Sequence, residues 1–485
     1  MKHLTTLFAA LAVLLFAACS DYTDTIPADT KLLGKTDFAV MQDQSGMDLM
    51  KMLNDAVETI QDSNDDFPDV NEILASIDLS APMYYFLDGE INKDPFIGVV
   101  LKVSDSEGLV EAIDRALLSS DDISKSDLKK LKKEEDGYTV YQPKNEHMAF
   151  GISDKALLVL VGPESSDRKI RERLLTLLAG EEKGIKDNEL YKTMKGHDAF
   201  ASVYASLDVI PDKVMKDVNE QFKREGIRLK ASQLKTLTVG LDASVSGKVA
   251  DVNFWYQSSD EEFQEKLEQL AGYMKQPTDD GLQIFTPDIL YGVVLNIDGS
   301  ELANNLSSIC STLGFDKNKI TDEMKSMIRK LKGNVLFGYL PHGRDFWAAQ
   351  TSNMNDFLIK QYAPDYEGHE NWSQDDFSYS DRPYYELTHN GTEFVKLWSY
   401  SRPDYFGYKN GFSYYADGFD IANNALDDDP DMPAELSSLI QSNRITAFLS
   451  VESLLSEYSD DLKEVLDEVA SDALDKIEYV TFSLK

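Results

Sequence analysis

Tyr291-Gly292-Val293-Val294-Leu295, followed by Asp298-Gly299-Ser300-Glu301-Leu302, reads as a strand running into a capped helix. The chain carries that pattern once before. Upstream, Pro27-Ala28-Asp29 precedes Phe38-Ala39-Val40-Met41, read as a strand, and Ser45-Gly46-Met47-Asp48-Leu49, read as the start of a helix, at an offset of 253 residues. The same offset lays Leu49, Leu53, Ala56 and Ile60 on Leu302, Leu306, Ile309 and Leu313. Spacings of four, three and four put such residues on one buried helical stripe. A Ser or Asp at the N-cap with an acid three residues on satisfies the free N–H groups of the first turn.

Three further blocks follow in the same order. Ile97–Val103 with Ser104-x-x-Glu107 matches Phe346–Ser352 with Asn353-x-x-Asp356 at 249. Asn188-Glu189-Leu190 with Ala199–Tyr204 matches Ala434-Glu435-Leu436 with Ile445–Ser450 at 246. Lys235–Leu241 matches Lys476–Phe482 at 241. Four ordered blocks with a slowly drifting offset indicate duplication. Period-2 alternation between turns such as Asp88-Gly89, Pro341-His342-Gly343 and Ser246-Gly247 indicates antiparallel strands with one face buried.

The expected fold is therefore α+β: two sequence-related copies of antiparallel sheet packed with helices. The expected divisions are a signal peptide at 1–18, a lipidated tether at 19–26, copy one at 27–246, a strand-helix-strand connection at 247–286, and copy two at 287–485. The Ser246-Gly247 turn, with no Pro- or Gly-rich linker after it, leaves open that the halves share one sheet.

The N-terminus is an address. Lys2 and His3 precede an apolar run from Leu7 to Ala18, long enough for an h-region and too short to span a bilayer. The run ends Phe16-Ala17-Ala18-Cys19, similar to a bacterial lipobox, which implies acylation of Cys19 and an outer-membrane lipid anchor; Phe16 departs from the usual Leu or Val. Ser20-Asp21-Tyr22-Thr23-Asp24 resembles an acidic surface-export signal, and Asp24-Thr25-Ile26 resembles an O-glycosylation site at Thr25. From Cys19 through Ile26-Pro27-Ala28-Asp29, with strand–helix units after it, the chain resembles a Bacteroidota cell-envelope lipoprotein family of uncharacterised function. That resemblance implies a lipid-anchored protein at the cell surface or periplasmic face and supplies no catalytic residues.

The 485 residues carry 48 Lys+Arg against 85 Asp+Glu, a net charge of −37. So acidic a chain lacks the basic surface that nucleic acid requires. Two cysteines make no disulfide framework, and Cys310 lies on an apolar helical stripe as a core residue. The six histidines stand apart, and His197-Asp198 reads as a turn pair before a strand. Phosphate-loop, nucleophile-elbow and zinc motifs are absent from the sequence, so no cofactor, metal or catalytic residue is nominated. The acidic runs 427–431 and 64–69 lack EF-hand spacing and read as solvated loops, and the Lys125–Lys133 cluster reads as an exposed helix face.

Between Tyr366 and Phe419 there are 16 aromatic residues. The plain reading is a hairpin about Asn390-Gly391 with rings in the core. The functional reading is a glycan or protein platform using Trp372, Trp398, Tyr405 and Tyr408. The leading expectation is a non-enzymatic, lipid-anchored envelope protein that acts as a scaffold or binds an unknown ligand. Glycan binding through 366–419 is the alternative, and a hydrolase without a recognisable motif comes third.

Overall fold

The computed structural model describes residues 22–46, 71–91, 95–119, 123–135, 137–143, 147–163, 167–180, 184–224, 230–313, 321–354, 384–389, 392–399, 402–418, 421–422, 426, 432–457 and 476–484. The chain divides into two compact units. Met1–Val218, Lys230–Ser246 and Trp255–Ser259 make the first, and Asn219–Leu229, Gly247–Phe254 and Asp260–Lys485 the second. The fold is α+β.

In the first unit the strands are β1 (Leu32–Thr36), β2 (Met83–Asp88), β3 (Phe96–Lys102), β4 (Lys132–Glu135), β5 (Tyr138–Tyr141), β6 (Met148–Ile152), β7 (Ala156–Val161), β8 (Ala201–Ser206) and β9 (Leu237–Ser246). They lie in the order β9-β8-β1-β2-β3-β7-β6-β5-β4, each neighbouring pair antiparallel. β7 is the run Ala-Leu-Leu-Val-Leu-Val, with both faces covered. Leu157 and Val159 join the core under the helix Ser106–Ser119, while Leu158 and Leu160 join that under Asp167–Leu178. A strand buried on both faces loses its alternation, so the expectation of one buried face fails there. The helix Ser106–Ser119 turns Leu109, Ala112, Ile113, Ala116 and Leu117 inward, one amphipathic stripe, and Asp105 Oδ1 accepts from Gly108 N at its start.

Next come β10 (Val249–Ser258) and β11 (Met274–Lys275). The remaining strands are β12 (Tyr291–Asp298), β13 (Leu331–Leu340), β14 (Arg344–Thr351), β15 (Tyr384–His389), β16 (Thr392–Ser399), β17 (Arg402–Lys409), β18 (Phe412–Ala416), β19 (Ile445–Ser450) and β20 (Tyr479–Leu484). The second unit, to which β10 contributes Val249–Phe254, has the order β10-β20-β19-β12-β13-β14-β18-β17-β16-β15. Apart from the parallel β10–β20 pair, this is the strand order of the first unit, with β20 in the place of β9 and β12 in that of β1.

Cross-strand rows correspond as well. Gly98, Phe86, Leu33, Tyr204 and Gly240 stand abreast in the first unit, and Phe346, Gly338, Gly292, Phe448 and Thr481 in the second. The Gly–Phe pair is exchanged between the copies. A Cβ on Gly98 would lie 2.1 Å from the Phe86 ring, and one on Gly338 would lie 2.2 Å from the Phe346 ring. One ring fills the space over both positions, so either strand can supply it.

Three of the four sequence blocks thus fall on equivalent strands, β3 and β14, β8 and β19, β9 and β20, but only the last in register; the rows shift the first pair by one residue and the second by two. The first block slips. Phe38–Met41 begins the helix Phe38–Ser45, capped by Asp37, whose carboxylate accepts from Val40 N. The strand equivalent to β12 is β1, just upstream. Ser45-Gly46 closes that helix, with Gly46 at φ 64°, and Met47-Asp48-Leu49, read as the start of the next one, lie outside the described residues. Leu49, Leu53, Ala56 and Ile60 lie outside the described residues.

The tether expected at 19–26 is also corrected in part. Tyr22–Thr25 form a short 3₁₀ helix, Tyr22 Oη donates to Pro82 O at 2.6 Å, and Ile26 is fully buried. These residues are core, so a free tether would have to end before Tyr22. Among the described residues no helix is long and apolar enough to cross a membrane.

Candidate functional site

The strands at one side of each sheet carry their alternation inside out. In β20 the sequence Tyr-Val-Thr-Phe-Ser-Leu turns Thr481 and Ser483 to the core and Val480, Phe482 and Leu484 outward. In β10, Asp251 and Asn253 face inward at 6% exposure, while Phe254 faces out at 39%. β19 buries Thr446 and Ser450 and turns Ala447 and Leu449 outward.

The buried polar groups of β10 and β20 bond one another, as burial demands, whereas the buried Thr446 Oγ1 of β19 has no hydrogen-bond partner among the described residues. Asp251 Oδ1 accepts from Thr481 Oγ1 at 2.6 Å and Ser483 Oγ at 2.8 Å, and Asn253 Nδ2 donates to Ser483 Oγ at 3.1 Å.

The outward face is apolar across three rows. Val252, Phe482, Ala447, Val293, Phe337 and Trp347 make one row. Phe254, Leu484, Ile445, Leu295, Val335 and Ala349 make the second. Ala250, Val480, Leu449, Tyr291 and Tyr339 make the third, which ends at Asp345. Phe482 is 55% exposed, Phe337 45% and Tyr291 43%. The helix Gly299–Leu313 packs on β12 and β13, and Val335 and Ala349 are buried. The Tyr291 and Tyr339 rings stack at 5.0 Å and 10°. Partial burial, with Tyr339 and Asp345 beside it, raises the Tyr291 phenol above its usual value. Soluble proteins rarely leave contiguous apolar patches uncovered unless something binds there.

The first unit repeats the inversion. Val203 and Leu241 face outward and are exposed, while Ser202, Tyr204 and Asp242 face inward. The inward groups make a network around one carboxylate. Ser202 Oγ donates to Asp242 Oδ1 at 2.6 Å, Tyr204 Oη donates to the same oxygen at 2.8 Å, and His197 Nδ1 lies 2.5 Å from Asp242 Oδ2. Tyr204 Oη also stands 2.6 Å from that ring nitrogen. Trp255 packs edge-on to Tyr204, centroids 4.7 Å apart. Burial and then Asp242 hold the Tyr204 phenol well above its normal range.

Lys35 stands beside Ser202 in register, buried, and has no hydrogen bond or ion pair among the described residues. Burial lowers its pKa, against the pull of Asp37, Asp242 and Asp198. The second unit holds the same place with neutral groups: the row Lys35, Ser202, Asp242 becomes Val294, Thr446, Ser483, and Tyr204 becomes Phe448. The fold therefore does not need charge at this position.

Chemically, the Asp242–His197 pair fixes an imidazole whose side chain is 40% exposed. Ser202 is bonded to the carboxylate and not to the ring, which is not the arrangement of an activated serine. The sequence could not pair His197 with its acid, because the partner lies on β9, 45 residues away, and not at Asp198. Among the described residues no group of three or more His, Cys, Asp or Glu is placed to hold a metal ion.

Of the residues singled out from sequence, Cys19 and Trp372 lie outside the described residues, as do 64–69 and 427–431. Trp398 falls in β16 by its backbone, its side chain outside the described part. Tyr405 is 5% exposed and belongs to the core of the second unit, so it cannot serve in a surface platform; its strand position turns the ring inward. Tyr408 is half-buried and its hydroxyl donates to Thr351 O at 3.4 Å. Thr25 is buried, its Oγ1 donating to Tyr22 O at 2.7 Å, so in this fold the hydroxyl is not presented for glycosylation. Cys310 is buried, as its helical stripe predicts. The outward rings Tyr291, Phe337 and Phe482 were missed, although the polar-apolar alternation of Val480–Leu484 was in view. Alternation gives two faces and does not say which is inside. Comparison with protein-family models, with curated proteins and with solved structures found no match for this chain.

Proposed function

We propose that this chain is a lipid-anchored protein of the bacterial cell envelope, held through Cys19, whose task is to bind a partner and not to catalyse. One observation carries the binding part: β10, β20 and β19 turn their polar residues into the core and leave Phe254, Phe482 and Leu484 outside. A sheet under selection for solubility alone would be turned the other way. The glycan alternative in 366–419 loses Tyr405 to the core. Apart from the Tyr291 and Tyr339 hydroxyls and the Trp347 indole N–H, the outward rows also lack polar groups to hold sugar rings, so they suit an apolar partner.

The anchor is tested by feeding cells an alkyne-tagged fatty acid, with Cys19→Ala as control. Label on the wild type alone supports it; label on both, or on neither, contradicts it. Binding is tested with a photo-crosslinking phenylalanine analogue at 337 or 482 in living cells, against one at Met324, which is 47% exposed on the helix Asp322–Ile328. Discrete adducts from 337 and 482 alone support the reading. Their absence from both removes it.

A further inference from the structure

We infer that the outward face of β10, β20, β19, β12 and β13 docks a polypeptide that presents apolar side chains together with a Lys or Arg placed to reach Asp345. This rests on the reading of that face as a binding surface. The rows set the first requirement. From Val252 to Trp347 and from Ala250 to Tyr339 they offer aliphatic and aromatic groups whose only polar atoms are the tyrosine hydroxyls and the Trp347 indole N–H.

The end of the third row sets the second requirement. Asp345 pairs in register with Tyr339, is exposed, and its carboxylate has no ion pair or hydrogen bond among the described residues. An occupant covering Tyr291 and Tyr339 takes water from that carboxylate, and a desolvated charge left unmatched is costly. A matching cation removes the cost and fixes the register of the partner.

Charge decides among occupants. A second copy brings −37 against −37 and has no surplus cation to offer. An acyl chain fills the rows but leaves Asp345 unmatched. A saccharide finds few groups to bond. A basic amphipathic polypeptide meets both requirements, and the acidic body would also speed its approach.

The test uses the mature chain and two fluorescent helical peptides with the same leucine stripe, one bearing Lys and the other Glu on the remaining positions. Affinity is read by anisotropy in low and in physiological salt. The Lys peptide is expected to bind and the Glu peptide not. Asp345→Lys should weaken the Lys peptide about tenfold and favour the Glu peptide. Phe337→Asp, at a surface position where folding can be checked by circular dichroism, should abolish binding.

Equal binding of both peptides, or an unchanged preference in Asp345→Lys, overturns the inference and leaves the face a binding surface. Lys-peptide binding that survives Phe337→Asp is bulk attraction to an acidic protein, and also overturns it. If neither peptide binds, the inference falls; the underlying reading falls with it only if an apolar dye such as bis-ANS also gives no signal sensitive to Phe337→Asp.

Discussion

Lys35→Met deletes a buried ammonium and keeps its unbranched stem, so it isolates the charge from the packing. In the folded chain Lys35 is 6% exposed and has no acceptor among the described residues. Moving an ammonium out of water costs several kcal/mol even after relaxation. The return comes from Asp37, Asp242 and Asp198, which favour the charged form without bonding it. At an effective dielectric near 20, a charge about 8–16 Å away returns about 1–2 kcal/mol, and the lowered pKa shows that burial outweighs the three acids together. The balance favours the substitution, by about 1–3 kcal/mol near pH 7. Val294 in the equivalent row shows that an apolar side chain fits. The assay is urea unfolding of wild type and Lys35→Met across a pH series. The folded pKa of Lys35 lies below the ordinary 10.5. Between that lowered value and 10.5 the unfolded chain binds more protons, so this lysine makes wild-type stability rise with pH. The advantage of the variant should therefore shrink as pH approaches 10.5. A variant less stable than wild type at pH 7, or an advantage that ignores pH, would refute the reasoning.

Asp242→Ala strands the hydroxyls of Ser202 and Tyr204 and the ring of His197, and should cost about 3–5 kcal/mol by denaturant unfolding; Asp242→Ser, the residue of the second copy, should cost less. Gly338→Ala pushes a methyl into the Phe346 ring and should cost about 1–3 kcal/mol. A double-mutant cycle with Phe346→Ala should show the two losses falling short of their sum. Tyr414 is fully buried, and burial pushes its phenol up to about 12 from 10. Stability should therefore fall by roughly 3 kcal/mol as pH rises from 10 to 12; Tyr414→Phe should unfold less steeply over that range.

Much of the architecture was legible because the two units share a strand order, and similar blocks recur along the chain in that order. β3, β8 and β9 were found through their partners β14, β19 and β20. The strand half of the first block failed for a local reason: Phe38-Ala39-Val40-Met41 is apolar enough for a strand or a helix, and Asp37 as N-cap decides it. Turn chemistry read well where Gly takes positive φ, as at Gly89, Gly247 and Gly343. The candidate surface read poorly. Periodicity separates Thr481 and Ser483 from Val480, Phe482 and Leu484 but cannot tell which set faces the helices. Dense aromatics drew attention to 366–419, where Tyr405 proved to be core. The exposed rings sit singly on four strands, and only strand pairing gathers them.

The central claim is that the outward face of the second unit is covered in the cell. Hydroxyl-radical footprinting of Tyr291, Phe337 and Phe482, in intact envelopes and in the purified chain, measures this directly. Rings oxidised readily in the purified protein and protected in the envelope are the predicted result. Equal oxidation in both would contradict the account.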